Sequence, residues 1–285
     1  MYVLLCPCID DPSLRARGIT SDADRAAFAR ALERCREFGV EPVLLPCPET
    51  LYLGRDREPG AFHPRLDTPK FSAHLDRLET GVREEIRRRG EDPLCIVGVD
   101  SSPCCGAGWH HLGTVDGKPS RHLGRGVFLS RFLEIRAVDV KDFARYRVYL
   151  AGPLFSEAEQ AFNRRVRDLL ETHLFRVYLP QEAAEVPGRE PDADGAIYAS
   201  HVAALRDTDV VLAVCDGPDA DSGTAWEMGF ASALGIPVAA LRTDSRRFSA
   251  ERRLNLMLER SAAQVITDPE MLPAALRSPF CDPET

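Results

Sequence analysis

Residues 209–229 read Asp-Val-Val-Leu-Ala-Val-Cys-Asp-Gly-Pro-Asp-Ala-Asp-Ser-Gly-Thr-Ala-Trp-Glu-Met-Gly. Val210 to Val214 is an apolar run of strand length. The Asp- and Gly-rich segment after it reads as a loop, and a helix is predicted from about Thr224 to Leu234. The same alternation continues on either side. Strands are predicted over Arg147–Ala151, Phe175–Leu179, Val238–Leu241 and Gln264–Thr267. Helices are predicted over Ser156–Thr172, with Ser156 as N-cap, and over Ile197–Arg206, beyond a Pro- and Asp-rich loop from Pro180 to Gly195. Five strands in βα order predict a flavodoxin-like, doubly wound, five-stranded parallel sheet whose ligand sits at the carboxyl ends of the strands.

The first half alternates in the same way. Tyr2–Leu5, Glu41–Leu45 and Leu94–Val99 read as strands, and Ala23–Phe38 and Phe71–Arg89 as helices, with a loop over 52–69. Two α/β domains are therefore expected, residues 1–140 and residues 147–285, with the boundary near Asp139 to Arg147.

Composition narrows the partners. The net charge is -8 and no basic cluster faces aromatic residues, which disfavours nucleic acid as the main partner and favours a small molecule. No apolar run approaches the roughly 20 residues of a membrane span, and Met1 to Leu5 lacks the basic flank of a signal peptide. A cytoplasmic protein is expected. Of the nine cysteines, Cys6, Cys8, Cys35, Cys47, Cys95, Cys104 and Cys105 fall within the first 105 residues, pointing to soft-metal chemistry in that half.

Three loops of the second half hold polar residues that packing does not demand: Tyr149 to Phe155, Asp216 to Glu227, and Asn255-Leu256-Met257. Glu227 is expected within the first turn or so of its helix, where the dipole favours an ionised carboxylate, and Gly223 and Gly229 allow close backbone approach. These residues, with Asp209-Val210-Val211 and Asp221 six positions before Glu227, resemble the nucleoside 2-deoxyribosyltransferase family and its N-glycoside hydrolase relatives over roughly residues 147–280. The resemblance implies that Glu227 attacks C1′ of a nucleoside sugar, that Tyr149 orients it, and that Asp221 contacts or protonates the base. It implies Gly152, Phe155, His201 and Gly223 around the substrate, with Asn255 and Met257 reaching the sugar 5′-hydroxyl from a neighbouring subunit of a homo-oligomer. His201 stands where the family commonly has a base-binding aspartate, so base recognition differs here or the imidazole acts as a donor or proton carrier. The chemistry stands on its own terms: an oxocarbenium-like transition state needs a carboxylate on one ring face and an acid for the leaving group.

Cys8, Cys47 and Cys105 each follow a predicted strand and can converge at one sheet edge. With Arg15 and Gly18, Cys47-Pro48-Glu49 and Ser102-Pro103-Cys104-Cys105-Gly106, this half resembles the [4Fe–4S] thiouracil desulfidase family over about residues 1–135. The resemblance implies a [4Fe–4S] cluster on Cys8, Cys47 and Cys105, with Glu49 and a serine, Ser101 or Ser102, handling protons. Cys8 lacks the family's following Leu-Leu-Gly and Cys104 stands where the family has serine, so Cys6 or Cys104 could replace a ligand. Cys35 and Cys95 read as core, and His110 and His111 as surface in preference to the edge of a site.

Together these readings give the expectation of a bifunctional salvage enzyme, one domain removing sulfur from a thiolated base and the other cleaving or transferring the N-glycosidic bond. Two alternatives stand beside it: glycosidic chemistry with a structural or redox-sensing metal domain, and a nucleoside-binding sensor without turnover.

Overall fold

The computed structural model describes residues 1–115, 118–183, 193–246, 248–249 and 252–277. The chain divides into two compact units, Met1–Ala144 and Arg145–Thr285.

In the first unit, strands β1 (Tyr2–Leu5), β2 (Glu41–Leu44), β3 (Ile96–Gly98) and β6 (Ala137–Asp139) form a parallel sheet in the order β2-β1-β3-β6. Helices α1 (Asp22–Glu37), α2 (Pro48–Leu53), α3 (Pro69–Arg89) and α4 (Val140–Phe143) accompany it. Ser21 and Asp24 form a reciprocal capping box at α1. The Pro48–Leu53 helix extends into a segment expected to be loop. Strands β4 (Trp109–Val115) and β5 (Lys118–Leu123) pair as an antiparallel hairpin. That hairpin holds three histidines in its strands and carries little apolar alternation, so sequence periodicity does not announce it. His110, expected at the surface, is buried and its Nδ1 lies 3.1 Å from the Gly124 carbonyl oxygen. Cys35 and Cys95 are core residues.

The second unit carries β7 (Arg147–Ala151), β8 (Arg176–Tyr178), β9 (Val210–Val214), β10 (Val238–Leu241) and β11 (Gln264–Ile266). All five run parallel in the order β11-β10-β9-β7-β8, the flavodoxin-like arrangement. Helices α5 (Glu157–Thr172), α6 (Pro180–Ala183), α7 (Ala193–Arg206), α8 (Ser222–Ala233), α9 (Leu256–Ser261) and α10 (Leu272–Ala275) complete it. The expected loop from Pro180 to Gly195 thus begins in α6 and ends in α7, and positions 184–192 lie outside the described residues. Ser156 caps α5 as expected, in a capping box with Glu159.

β9 is buried along its whole length because helices cover both faces of a central parallel strand, hence its unbroken apolar run. On one face, Ala151, Ala213 and Ala240 stand in register on three adjacent strands. With Tyr149, Val211, Met228 and Ala231 they form one buried cluster. The row of small side chains lets α8 approach the sheet closely, and that approach brings Glu227 beside Tyr149.

Candidate active site

The first elements to meet are β7 and α8. Tyr149 is fully buried, and its hydroxyl donates to Glu227 Oε1 at 2.5 Å. Glu227 lies in the second turn of α8, because the helix begins at Ser222 with Asp221 as N-cap. This corrects the expectation of a first-turn carboxylate steadied by the helix dipole, whose effect fades beyond that turn. Burial dominates instead and pushes the Glu227 carboxyl up to about 7, aided by the nearby Asp221 charge and opposed by the Tyr149 hydrogen bond. The Tyr149 hydroxyl is held well above the usual phenol range, by burial first and then by the Glu227 charge. It is therefore a neutral donor at working pH.

Asp221 closes the start of α8. Its Oδ2 accepts from the Gly223 and Thr224 amides at 2.9 and 3.2 Å. A side chain at Gly223 would bring a Cβ to 3.0 Å from that oxygen, which explains the glycine. One carboxylate oxygen thus caps the helix, while the other has no hydrogen-bond partner among the described residues. Gly152, just after β7, has a comparable reason: an added Cβ would meet Val214 at 3.2 Å and Asn163 Oδ1 at 3.3 Å. Phe155 is 78% exposed and Met257 74% exposed. Asn255 is the N-cap of α9, its Oδ1 accepting from the Met257 amide at 2.9 Å.

His201, on α7, has its Nδ1 3.0 Å from the Tyr178 hydroxyl. Tyr178 is the register partner of Tyr149, and the two rings stack with centroids 5.2 Å apart. Burial lowers the His201 pKa below its ordinary value. Tyr178 escapes motif reading, although its place opposite Tyr149 on a parallel neighbour was the signal. Arg242 escapes it as well. This arginine is 2% exposed and donates to the carbonyls of Cys215, Gly217 and Arg246. Asp216 accepts from the Thr243 and Asp244 amides, and Asp244 from the Gly217 amide. The loop ahead of Asp221 is thereby tied to the segment leaving β10.

In the first unit, Cys8 lies in a short turn after β1, Cys47 caps α2 after β2, and Cys105 follows β3. Each of the three thiols lies within electrostatic reach of the others, and Cys6 and Cys104 join them. The Cys47 Sγ accepts from the Thr50 amide and hydroxyl at 3.4 and 3.1 Å. Glu49 is 7% exposed and pairs with Arg57 at 3.5 Å and Arg65 at 3.4 Å. Ser102 Oγ accepts from the Cys105 amide at 3.1 Å.

The turn carrying Cys104 and Cys105 is rigidly built. Ser101 adopts a left-handed φ of 75°, a costly conformation for a residue with a Cβ. Asp100 Oδ1 accepts from the Ala107 and Gly108 amides. Added Cβ atoms at Gly98 and Gly126 would come within 2.5 Å of the Cys105 carbonyl oxygen and the Cys104 carbonyl carbon respectively. Among the described residues no three His, Cys, Asp or Glu side chains are spaced for one metal ion.

Fold and site define the second unit as a flavodoxin-like α/β domain with a half-buried, tyrosine-bound carboxylate at its strand ends. Residues 148–262 match the family model described as Nucleoside 2-deoxyribosyltransferase. Solved structures similar to the chain include the 2-deoxyribosyltransferase of Bacillus psychrosaccharolyticus, at 23% identity over 46% of this chain and 95% of that one, with a TM-score of 0.40. A conserved protein from Enterococcus faecalis V583 is 32% identical over 47% of this chain and 97% of its own, with a TM-score of 0.39. The CMP N-glycosidase BcmB of Clostridium botulinum is 20% identical over 46% of this chain and 96% of its own, with a TM-score of 0.31. No curated protein matches the chain. No helix among the described residues is long and apolar enough to cross a membrane.

Proposed function

We propose that the second unit breaks the N-glycosidic bond of a nucleoside by a two-step displacement on Glu227. A Glu227 carboxylate oxygen bonds to C1′ while the C1′–N bond breaks, and its electron pair leaves with the base. Asp221, through its free oxygen, contacts the departing base and delivers or relays the proton it needs. A second base, or water, then attacks C1′ from the vacated face and regenerates the carboxylate, with net retention. Tyr149 fixes the attacking carboxylate and favours its ionised form. Asn255 and Met257 meet the sugar 5′-hydroxyl from a second copy of the chain, and Phe155 joins them at the substrate. The observation that carries this reading is the half-buried Glu227 carboxylate held by the Tyr149 hydroxyl, within the region that matches the family model. A sensor without turnover has no use for a carboxylate poised in this way.

The test is base release from ribo- and deoxynucleosides, with and without an acceptor base. Wild type should release base and Glu227→Ala should lose at least about a thousandfold in rate. Full activity in Glu227→Ala would defeat the assignment.

For the first unit we propose a [4Fe–4S] cluster on Cys8, Cys47 and Cys105. The gathering of their thiols at three strand ends, and the strained, glycine-packed turn at Cys104-Cys105, support this reading. When bound, the cluster would supply an iron that accepts the soft sulfur of a thiolated base. Glu49, held between two arginines, and Ser102 stand beside the thiols as the groups that would move protons.

A further inference from the structure

An apolar groove of about 300 Å³ runs between strand β2 and helix α3. Val43, Leu44 and Leu45 line it from the strand, and Leu78, Gly81 and Val82 from the helix. β2 is the last strand of its sheet and pairs with β1 alone, so no further strand shields the groove on that side. Leu44 keeps 48% of its surface exposed there. The groove is lined wholly by the first unit, outside residues 148–262, and none of the residues assigned a role above lines it.

Gly81 is the first sign of what fills it. It sits in the interior of the 21-residue α3, where glycine is the least favourable residue after proline. It is exposed, and an added Cβ would meet nothing within 4 Å. No contact within the chain demands the missing side chain. A bare backbone at one point of a helix does let a second helix come close there, because the side chains at a crossing set the distance between the axes.

Charge supplies the second sign. Much of the charge on α3 is already paired: Asp76 and Glu79 with Arg131, Glu79 also with Arg83, and Glu85 with Arg88 and Arg89. Arg77 and Glu84 are exposed and have no hydrogen bond or ion pair among the described residues. They stand four residues before Gly81 and three after it, so the three share one helix face. A copy of α3 laid antiparallel across Gly81 sets Arg77 against the partner's Glu84, and two-fold symmetry repeats the pair. A parallel copy would set Arg77 on Arg77, so the order of charges selects the antiparallel one.

We propose that two copies of the chain associate through this face, with their α3 helices antiparallel and crossing at Gly81. Leu44 and Leu78 of each copy close over the partner's groove, and Arg77 pairs with the partner's Glu84. This contact is separate from the one proposed for Asn255 and Met257. Helix axes about 10 Å apart, with Cα atoms about 2.3 Å from each axis, leave the two Gly81 Cα atoms on the order of 5 Å apart, within reach of a disulfide.

The test is sedimentation velocity of the full chain across a concentration series, on wild type, Arg77→Glu, Glu84→Arg and an equimolar mixture of the two variants. Each variant alone sets like charges against each other twice and should weaken self-association about tenfold or more. In the mixture the acidic face of one variant meets the basic face of the other, and association should return to the wild-type level. Gly81→Cys treated with oxidised glutathione should give a dimer joined from residue 81 to residue 81, identified by mass spectrometry of the linked peptide. A monomeric wild type would leave the groove to a different occupant and overturn the proposal. Variants that associate as wild type does, or a mixture no tighter than its components, would overturn it equally.

Discussion

Tyr149→Phe removes one hydrogen bond to one carboxylate and leaves the ring stacked on Tyr178. A hydrogen bond to a charged group contributes roughly 1.5–3 kcal/mol, and about 1.36 kcal/mol corresponds to a tenfold change in ionisation. The bond stabilises the ionised form, so its loss should raise the Glu227 pKa by roughly one to two from its value of about 7. The nucleophile must be ionised, and wild-type kcat/KM should climb with pH through an acid limb centred near 7. In Tyr149→Phe that limb should move to roughly 8–9. At pH 7 the ionised fraction would fall from about half to about 1–10%, a loss of about five- to fiftyfold that closes as the pH is raised. The assay is a pH profile of base release from pH 5 to 10, with the two proteins compared by unfolding at each end. An acid limb left in place, or a loss of rate equal at every pH, would refute the claim that Tyr149 acts through the ionisation of Glu227.

The same pKa has a consequence for stability. The folded-state value lies above the ordinary 4.5, so the penalty for ionising Glu227 in the fold is absent below about pH 4.5 and grows as pH rises to about 7. Glu227→Gln should therefore match wild type in urea unfolding near pH 4.5 and exceed it by up to about 3 kcal/mol at pH 8; equal stability at both pH values would contradict the buried-carboxylate description. Gly126→Ala should lower the stability of the first unit by about 1–3 kcal/mol, since the new methyl meets the Cys104 backbone at 2.5 Å, and an unchanged unfolding midpoint would show that the turn yields freely. Anaerobic purification should give a brown protein containing iron and acid-labile sulfide, with Cys8→Ala, Cys47→Ala and Cys105→Ala each reducing both; a colourless protein after cluster reconstitution would remove the cluster and leave the first unit without redox or desulfidase chemistry.

The second unit was legible because its strands are short apolar runs bounded by Gly, Pro and Asp, and because central parallel strands must be apolar on both faces. Glu227, Tyr149 and Asp221 were singled out as candidates by the loops that hold them together with the family resemblance. What spacing could not convey was the environment. A two-residue shift in the start of α8 moved Glu227 out of the first turn, and burial then set its ionisation in the opposite sense. The capping role of Asp221 was hidden as well, because whether an aspartate caps a helix depends on where that helix begins. Tyr178 became visible only through strand register, a property of two segments nearly thirty residues apart. Arg242 resembled any strand-end arginine until its carbonyl partners were in place. In the first unit the cysteines were evident, but the hairpin around His110 and the left-handed Ser101 arise from tertiary packing that no local pattern encodes.

The most direct measurement is mass spectrometry of enzyme quenched during turnover of deoxy- and ribonucleosides. One glycosyl group should be found esterified to the peptide that contains Glu227, and it should be absent from Glu227→Gln. Turnover with inversion at C1′ and no adduct, or an adduct on a different side chain, would contradict attack by this carboxylate.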